Sequence, residues 1–211
     1  MTGLNLKDVA ISLNDRLLLR VTETIRPGEI LTVMGPSGSG KSSLPAHVGG
    51  FLDSIFHASG DVYLNGNLLN DLPAHQRHTG ILFQDPLLFP HMSVGENLLF
   101  AAPADVPKAE RKDLVDSALQ QAGLEGFFQR DPATLSGGQK ARVALMRVLV
   151  SKPRALLLDE PFSKLDAGRR DQIRRFVFEE AQRLDLPILL VTHDAADAEA
   201  AGGKIVDLET R

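Results

Sequence analysis

Residues 30–42 read Ile-Leu-Thr-Val-Met-Gly-Pro-Ser-Gly-Ser-Gly-Lys-Ser, an apolar run that passes directly into a glycine-rich turn. The turn matches the spacing G-x-x-x-x-G-K-[ST] from Gly35 to Ser42, and a predicted strand precedes it. Glycines let backbone N–H groups point inward around phosphate oxygens, and the helix that follows offers its positive N-terminal end to the same anion. The stretch therefore predicts a strand, a phosphate-binding loop and a helix. An accidental glycine-rich turn is the alternative, and the preceding strand argues against it.

The predicted nucleotide contacts in this loop are Gly35, Pro36, Ser37, Gly38, Ser39, Gly40, Lys41, Ser42 and Ser43. Lys41 would neutralise charge on the β- and γ-phosphates, and the Ser42 hydroxyl would bind Mg²⁺. Pro45 falls at the border between the first helical turn, where proline is tolerated, and the helix interior, where it is not. We expect a helix that begins near Gly40, with a slightly distorted first turn and an intact loop.

A pair of carboxylates follows a second apolar run, in the sequence Ala155-Leu-Leu-Leu-Asp-Glu160. Ligands of open α/β sheets bind at the carboxyl ends of strands, where this pair would lie. Asp159 suits a contact to Mg²⁺, and Glu160 is then placed to accept a proton from an attacking water. Acidic residues often do no more than end a strand, but a phosphate loop in the same chain favours the catalytic interpretation.

The remaining pattern predicts an α/β fold with three parts. Short apolar runs at 30–34, 155–158 and 188–191 are typical of strands buried on both faces of a parallel sheet. Alternating apolar residues before Gly35 predict half-buried strands, and Asn65-Gly66 predicts a tight hairpin turn. Helical periodicity dominates about residues 86–152. We expect one domain over 1–211: a mainly parallel core, an N-terminal antiparallel β sub-domain and an inserted helical sub-domain at about 86–152.

Composition excludes several other classes of protein. The chain has 27 acidic and 23 basic residues, a net charge of −4, which argues against a dedicated nucleic-acid binder. It has no cysteine, so a disulfide scaffold, a zinc ribbon and a thiol nucleophile are excluded. Its start lacks the layout of a signal peptide, and no apolar run is long enough to cross a bilayer. We therefore expect a cytoplasmic protein.

The stretch Leu135-Ser-Gly-Gly-Gln139 resembles the signature of the ATP-binding-cassette (ABC) ATPases. Other motifs of that family follow its usual order: Gln84 after an apolar run, Ser163-Lys-Leu-Asp166 after the acidic pair, and His193 in Val191-Thr-His-Asp194. The resemblance covers nearly the whole chain. It implies the P-loop NTPase fold, ATP and Mg²⁺ as ligands, and ATP hydrolysis as the activity.

The resemblance also implies roles for these motifs. Gln84 would contact Mg²⁺ and the attacking water, and His193 would contact the γ-phosphate. A lone histidine after a strand is more often structural, but the motif order favours the catalytic role here. Ser136, Gly137, Gly138 and Gln139 would bind the ATP held by a second copy, so the family predicts a head-to-tail homodimer with ATP at the interface. Ser136 also suits a helix N-cap, with Gln139 three positions on.

The chain departs from the family at two places. No Phe, Tyr or Trp precedes Phe51, so no aromatic residue is available early in the chain to stack on adenine, and Leu13 or a neighbour must substitute. We expect modest nucleotide affinity and poor discrimination among bases. Lys164 replaces a smaller residue without an evident consequence. Eighteen residues follow His193, so we expect no C-terminal regulatory domain.

ATP hydrolysis in this family usually drives transport. The segment 85–97 is rich in apolar residues and prolines, and it could either pack beneath the helical sub-domain or form the groove that receives a permease helix. The motif Ser93-Val-Gly-Glu-Asn97 resembles bacterial importer ATPases, most of all the compact thiamine-, iron- and molybdate-importer type. That likeness implies a motor on the cytoplasmic face of the inner membrane, a separate permease and a periplasmic solute-binding protein.

Alternatives remain inside and outside the transporter class. An exporter, lipoprotein-release or cell-division ATPase would carry the same motifs. A non-transport ABC ATPase of DNA repair or translation would need a long coiled coil or a second cassette. A small-molecule kinase would have no use for Ser136–Gln139. The sequence does not identify the solute or the permease.

Overall fold

The computed structural model describes residues 2–165 and 167–208, which form two sheets and six α-helices. The strands are β1 (Leu4–Leu13), β2 (Arg16–Ile25), β3 (Ile30–Met34), β4 (Phe56–Leu64), β5 (Asn67–Leu68), β6 (Thr79–Leu82), β7 (Ala155–Asp159), β8 (Ile188–Thr192) and β9 (Lys204–Asp207). The helices are α1 (Ser43–Gly49), α2 (Val94–Ala101), α3 (Lys108–Gln121), α4 (Gly137–Val150), α5 (Ala167–Arg183) and α6 (Ala195–Ala201).

Five parallel strands form the central sheet in the order β6-β7-β8-β3-β9. Side chains of β7 enter two different cores: Leu156 and Leu158 face the helices, whereas Ala155 and Leu157 face the second sheet. Burial on both faces explains why this strand is continuously apolar. The predicted parallel core is confirmed, and the C-terminal ends of β3, β7 and β8 open on one edge of the sheet.

The second sheet is antiparallel, with the order β2-β1-β4-β5. It draws β4 and β5 from chain that follows the phosphate loop, so it is not made of the first residues alone. Asn65 (φ 51°) and Gly66 (φ 82°) form the predicted tight turn between β4 and β5. Positive φ at both positions is what a two-residue hairpin requires.

Helices α2, α3 and α4 fill the chain between β6 and β7 and pack against one another. Val94 and Leu98 of α2, Val115 of α3 and Leu145 of α4 are fully buried in the core that these helices share with the central sheet. The predicted α/β fold class is therefore confirmed. Within the described part of the chain, no helix combines the length and apolar character that a membrane span needs.

The helix after the phosphate loop begins at Ser43 rather than near Gly40. The preceding turn is tightened, because Leu44 N–H donates to the Lys41 carbonyl three residues back at 3.0 Å. An ordinary α-helical bond to that carbonyl would come from residue 45, and Pro45 has no N–H to give. The first turn is distorted as the sequence predicts, while the start of the helix moves three residues.

Candidate nucleotide-binding site

The loop between β3 and α1 curls around a central space. Gly38 (φ 81°) and Gly40 (φ 88°) take backbone conformations that favour glycine, and a side chain on Gly38 would meet no atom within 4 Å. The Lys41 ammonium reaches back across the loop and donates to the Pro36 carbonyl at 2.6 Å. The buried Ser39 hydroxyl has no protein partner among the described residues. An unpaired buried hydroxyl beside a buried cation is what a phosphate-binding cradle requires.

Two acidic residues meet the loop from β7. Ser42 Oγ donates to Asp159 Oδ1 at 2.7 Å, across 117 residues of chain. Lys41 Nζ lies 3.9 Å from Glu160 Oε1, with the lysine side chain only 3% exposed. The phosphate loop and the acidic pair are thus brought together as the sequence predicts.

Burial shapes the charges of this cluster. It lowers the pKa of the Lys41 ammonium, although Glu160 and Asp159 act in the opposite direction. Burial also raises the pKa of the Asp159 carboxyl, and the hydrogen bond from Ser42 only partly opposes it. Carboxyl and hydroxyl oxygens at this spot are hard donors of the kind that Mg²⁺ prefers, and Mg²⁺ in nucleotide sites uses only one or two carboxylates besides phosphate oxygens.

Glu160 has a left-handed backbone, with φ 47°. Its N–H donates to the Val191 carbonyl at 2.9 Å, and its own carbonyl accepts from the Ser163 hydroxyl at 2.8 Å. Such a conformation is costly for a residue other than glycine and persists where surrounding bonds enforce it. It aims the carboxylate at His193, whose Nδ1 lies 3.1 Å from Glu160 Oε1.

A buried network that sequence reasoning missed holds the loop of His193. Arg174 of α5 donates twice to Asp197 Oδ1, at 2.9 and 2.5 Å, and Thr192 Oγ1 donates to Asp197 Oδ2 at 3.0 Å. The same threonine hydroxyl accepts from Asp194 N–H at 3.1 Å. The residues on both sides of His193 are therefore fixed, while its own side chain is 43% exposed. The spacing from Arg174 to Asp197 offers no local sequence signal.

The signature stretch begins helix α4. Ser136 N–H donates to Gln139 Oε1 at 2.9 Å, and Gln139 N–H donates to Ser136 Oγ at 3.4 Å, so the predicted N-cap is confirmed. Gly137 is exposed and Gly138 is buried. Ser136, Gly138, Gln139, Arg142 and Gln172 line a surface cavity of about 280 Å³. None of the acidic residues around Lys41 lines this cavity.

Gln84 makes no hydrogen bond to Lys41, Asp159 or Glu160. It is exposed in an irregular stretch after β6, and it makes no hydrogen bond within residues 2–165 and 167–208. Two side chains anchor the residues that follow Gln84. Arg147 of α4 donates to the Leu87 and Pro86 carbonyls at 2.8 and 3.1 Å, and Lys164 binds Asp85 at 2.5 Å. Lys164 therefore has a partner that its sequence position did not reveal. Asp166, the last residue of the motif Ser163–Asp166, lies outside the described residues.

An aliphatic side chain of β2 packs on the phosphate loop. A Cβ on Gly40 would come within 2.8 Å of Leu18 Cδ1, so Leu18 packs directly on the loop. Leu13, at the end of β1, is half-buried. That Leu13 or a neighbour such as Leu18 contacts the base stays a prediction.

The segment 85–97 is divided between core and surface. Asn97 is fully buried and pairs with both the N–H and the carbonyl of Phe89. In contrast, Leu87 is 57% exposed and Phe100 is 67% exposed, and Phe100 packs against Phe89 with ring centroids 4.9 Å apart. Packing in the core is therefore observed for Asn97, whereas the groove for a permease helix stays a prediction. Leu87 and Phe100 are the exposed apolar side chains in and directly after this segment.

Comparisons with known proteins agree with this geometry. Residues 18–163 match the family model described as ABC transporter. The uncharacterized ABC transporter ATP-binding protein YnjD of Escherichia coli (strain K12) is 51% identical over 195 residues, covering 92% of this chain and 90% of that protein.

Importer ATPases are also similar. The spermidine/putrescine import ATP-binding protein PotA of Bacillus thuringiensis (strain Al Hakam) is 40% identical over 183 residues, 86% of this chain, but the chain spans only 55% of that protein's length. Among solved structures, cbiO1 from Clostridium perfringens, part of the ABC transporter complex cbiONQ, superposes with a TM-score of 0.84 at 29% identity, covering 98% of this chain and 84% of that one.

Proposed function

Because the chain belongs to the ABC transporter family and is an ATP-binding ATPase, we propose that it powers solute import by docking on a separate permease. The observation that carries the proposal is the meeting of Lys41, Asp159, Glu160 and His193 at one sheet edge, in a chain that also exposes the apolar side chains of Leu87 and Phe100. We propose that residues 1–211 act as one ATPase domain, with a helical sub-domain at about 86–152.

In this proposal each loop residue has a chemical task. Residues 35–43 wrap the phosphates through backbone N–H groups, and Lys41 offsets the charge on the β- and γ-phosphates. Ser42, Asp159 and Gln84 would hold Mg²⁺, which when bound stabilises charge on the transferred phosphoryl group. Glu160 accepts a proton from the attacking water. His193 orients Glu160 and contacts the γ-phosphate, because its imidazole already lies 3.1 Å from that carboxylate.

A second copy would complete the site. The start of α4 presents free N–H groups and a positive dipole end to the cavity beside Ser136. No phosphate-binding lysine of the same chain lines that cavity. In a head-to-tail homodimer, Ser136, Gly137, Gly138 and Gln139 would contact the ATP held by the partner's loop.

Import is favoured over export by the relatives. PotA is named as an import ATPase. We propose a location on the cytoplasmic face of the inner membrane, with a periplasmic solute-binding protein in the complete system and no nucleic acid as a partner. The sequence and geometry do not select the solute.

The test is affinity purification of the tagged chain from detergent-solubilised membranes of its source, followed by mass spectrometry. We expect a polytopic permease in near-equal amount, and loss of that permease from a Phe100→Asp variant. Ile55→Asp is a matched control, since Ile55 is 63% exposed in a different part of the chain. Recovery with ribosomal or DNA-bound proteins and no permease would contradict the transport role.

A further inference from the structure

The structure assigns to Lys164 the task of positioning the loop that carries Gln84 relative to Glu160. This inference rests on the proposed function for its consequence, but its geometry stands independently. Lys164 Nζ binds Asp85 Oδ1 at 2.5 Å, and 79 residues separate the two in sequence. Asp85 directly follows Gln84, so the ion pair fixes the backbone next to the predicted Mg²⁺ contact.

The other end of this connection leads to Glu160. Ser163, the residue before Lys164, donates its hydroxyl to the Glu160 carbonyl at 2.8 Å and its N–H to the same oxygen at 3.3 Å. The segment from Glu160 to Lys164 is thus a short, internally bonded turn. The hydrogen bonds from Ser163 to the Glu160 carbonyl and the ion pair between Lys164 and Asp85 therefore connect the backbone of Glu160 to the loop of Gln84.

Gln84 and Lys164 also share a cavity of about 120 Å³ with Gly137 of the signature stretch. On its far side the loop of Gln84 is held by Arg147 of α4, through two backbone carbonyls. Arg147 ties the loop to the helices, and Lys164 ties it to the central sheet. Among hydrogen bonds between side chains in the described ranges, the Lys164–Asp85 contact is the one that joins the segments 83–93 and 159–165.

The ion pair is too exposed to matter much for global stability. The side chains of Lys164 and Asp85 are 51% and 58% exposed, and exposed pairs contribute little to folding. The ion pair acts locally, because the loop from 83 to 93 contains no helix or strand that would hold it in place. Loss of the pair should loosen this loop and leave the fold intact.

The experiment compares wild type, Lys164→Ala, Asp85→Asn, the double variant and Lys164→Arg. Lys112→Ala is the matched control, since Lys112 binds Asp116 at the same 2.5 Å on the exposed surface of α3. We measure hydrogen exchange without nucleotide at the Phe89 and Met92 amides of this loop, whose N–H groups donate hydrogen bonds. We also measure steady-state ATP turnover and the Mg²⁺ concentration at half-maximal turnover.

We expect exchange at Phe89 and Met92 to accelerate about tenfold in Lys164→Ala and Asp85→Asn, with the double variant no faster than either, as for two residues that act through one contact. Turnover should fall about three- to tenfold, half-maximal Mg²⁺ should rise, and Lys164→Arg should restore most of both. Exchange and Mg²⁺ response equal to those of Lys112→Ala would overturn the inference. A wild-type chain without ATP turnover would instead contradict the proposed function, and the exchange measurement would still decide the role of Lys164.

Discussion

Helices α1 and α4 both follow a serine N-cap, and their surroundings differ in the way that the two proposed halves of a nucleotide site should. Ser42 leaves its own helix uncapped and gives its hydroxyl to Asp159, beside buried Lys41. Ser136 instead forms a complete capping box with Gln139 and opens on a cavity lined by polar and cationic groups. The start of α1 carries charges suited to chemistry, whereas the start of α4 offers only hydrogen-bond donors to an anion.

The largest expected effect comes from removing the proposed base at the start of α1. Glu160→Gln keeps the size of the side chain and removes its ability to accept a proton. Phosphate release should fall by about 10²-fold or more, because general base catalysis contributes roughly that factor. ATP binding, measured by fluorescence with a labelled analogue, should stay within a few fold of wild type. A variant that keeps more than a tenth of the wild-type turnover would show that another group takes the proton.

A carboxylate introduced at the start of α4 tests the proposed contact between this helix and the partner's ATP. Ser136→Glu should lower turnover about tenfold or more through repulsion of the partner's phosphates, while the isolated chain binds ATP as before. The control is Ser93→Glu, since Ser93 forms the same kind of capping box with Glu96 at the start of α2. Each change should lose about 1 kcal/mol of capping energy, so thermal unfolding separates that cost from the catalytic one. Equal losses of turnover in both variants would mean that α4 matters only for stability.

An added aromatic side chain should strengthen nucleotide binding by the α1 half. Leu13→Tyr places a ring at the end of β1, where the family has one, and stacking on a base can contribute about 1–3 kcal/mol. ATP affinity by calorimetry should rise roughly fivefold or more, and selectivity over GTP should not. If the unmodified chain already prefers ATP to GTP more than a hundredfold, the aliphatic residues Leu13 and Leu18 recognise the base in another way.

The smallest expected effect is on thermal stability, and it concerns the charge of Asp159 in the α1 half. Burial raises the pKa of Asp159 above its usual value, so unfolding releases a proton from this residue. The contribution of Asp159 to the free energy of unfolding therefore decreases as the pH rises from the usual pKa of aspartate to the raised pKa of the native carboxyl. The penalty is complete where the pH exceeds the pKa of the native carboxyl. Asp159→Asn should therefore raise the melting temperature at pH 7, with roughly 2–4 °C gained for every ~1 kcal/mol of penalty removed in a chain of this size.

The measurement that checks this prediction is the melting temperature of wild type and of Asp159→Asn as a function of pH. The gain of Asp159→Asn should shrink as the pH is lowered towards the ordinary value for aspartate, since the native carboxyl is then protonated as well. A melting temperature that falls at pH 7 would show that the charge of Asp159 is stabilising, through Lys41, rather than costly.

Local patterns predicted most of the fold and the α1 half of the site. The phosphate loop, the buried strand before Asp159 and the capping box of Ser136 each depend on residues close in sequence, and the structure contains all three. Contacts over long separations could not be predicted: Lys164 with Asp85, Arg174 with Asp197, and Leu18 on Gly40. These pairs are selected by how the strands and helices pack, which leaves no spacing in the sequence. The later start of α1 is a local feature that the sequence pattern did not predict. It arises because Pro45 has no N–H for the Lys41 carbonyl, which accepts from Leu44 instead.

The most direct test of the two-half account is the mass of Glu160→Gln in solution, measured by light scattering with and without ATP and Mg²⁺. Slow hydrolysis should let ATP persist between two copies, so the account predicts the mass of one chain without ATP and of two chains with it. Ser136→Glu added to this variant should keep the mass of one chain. A mass that stays at one chain when calorimetry shows the loop saturated with ATP would contradict the assignment of α4 to a partner's nucleotide.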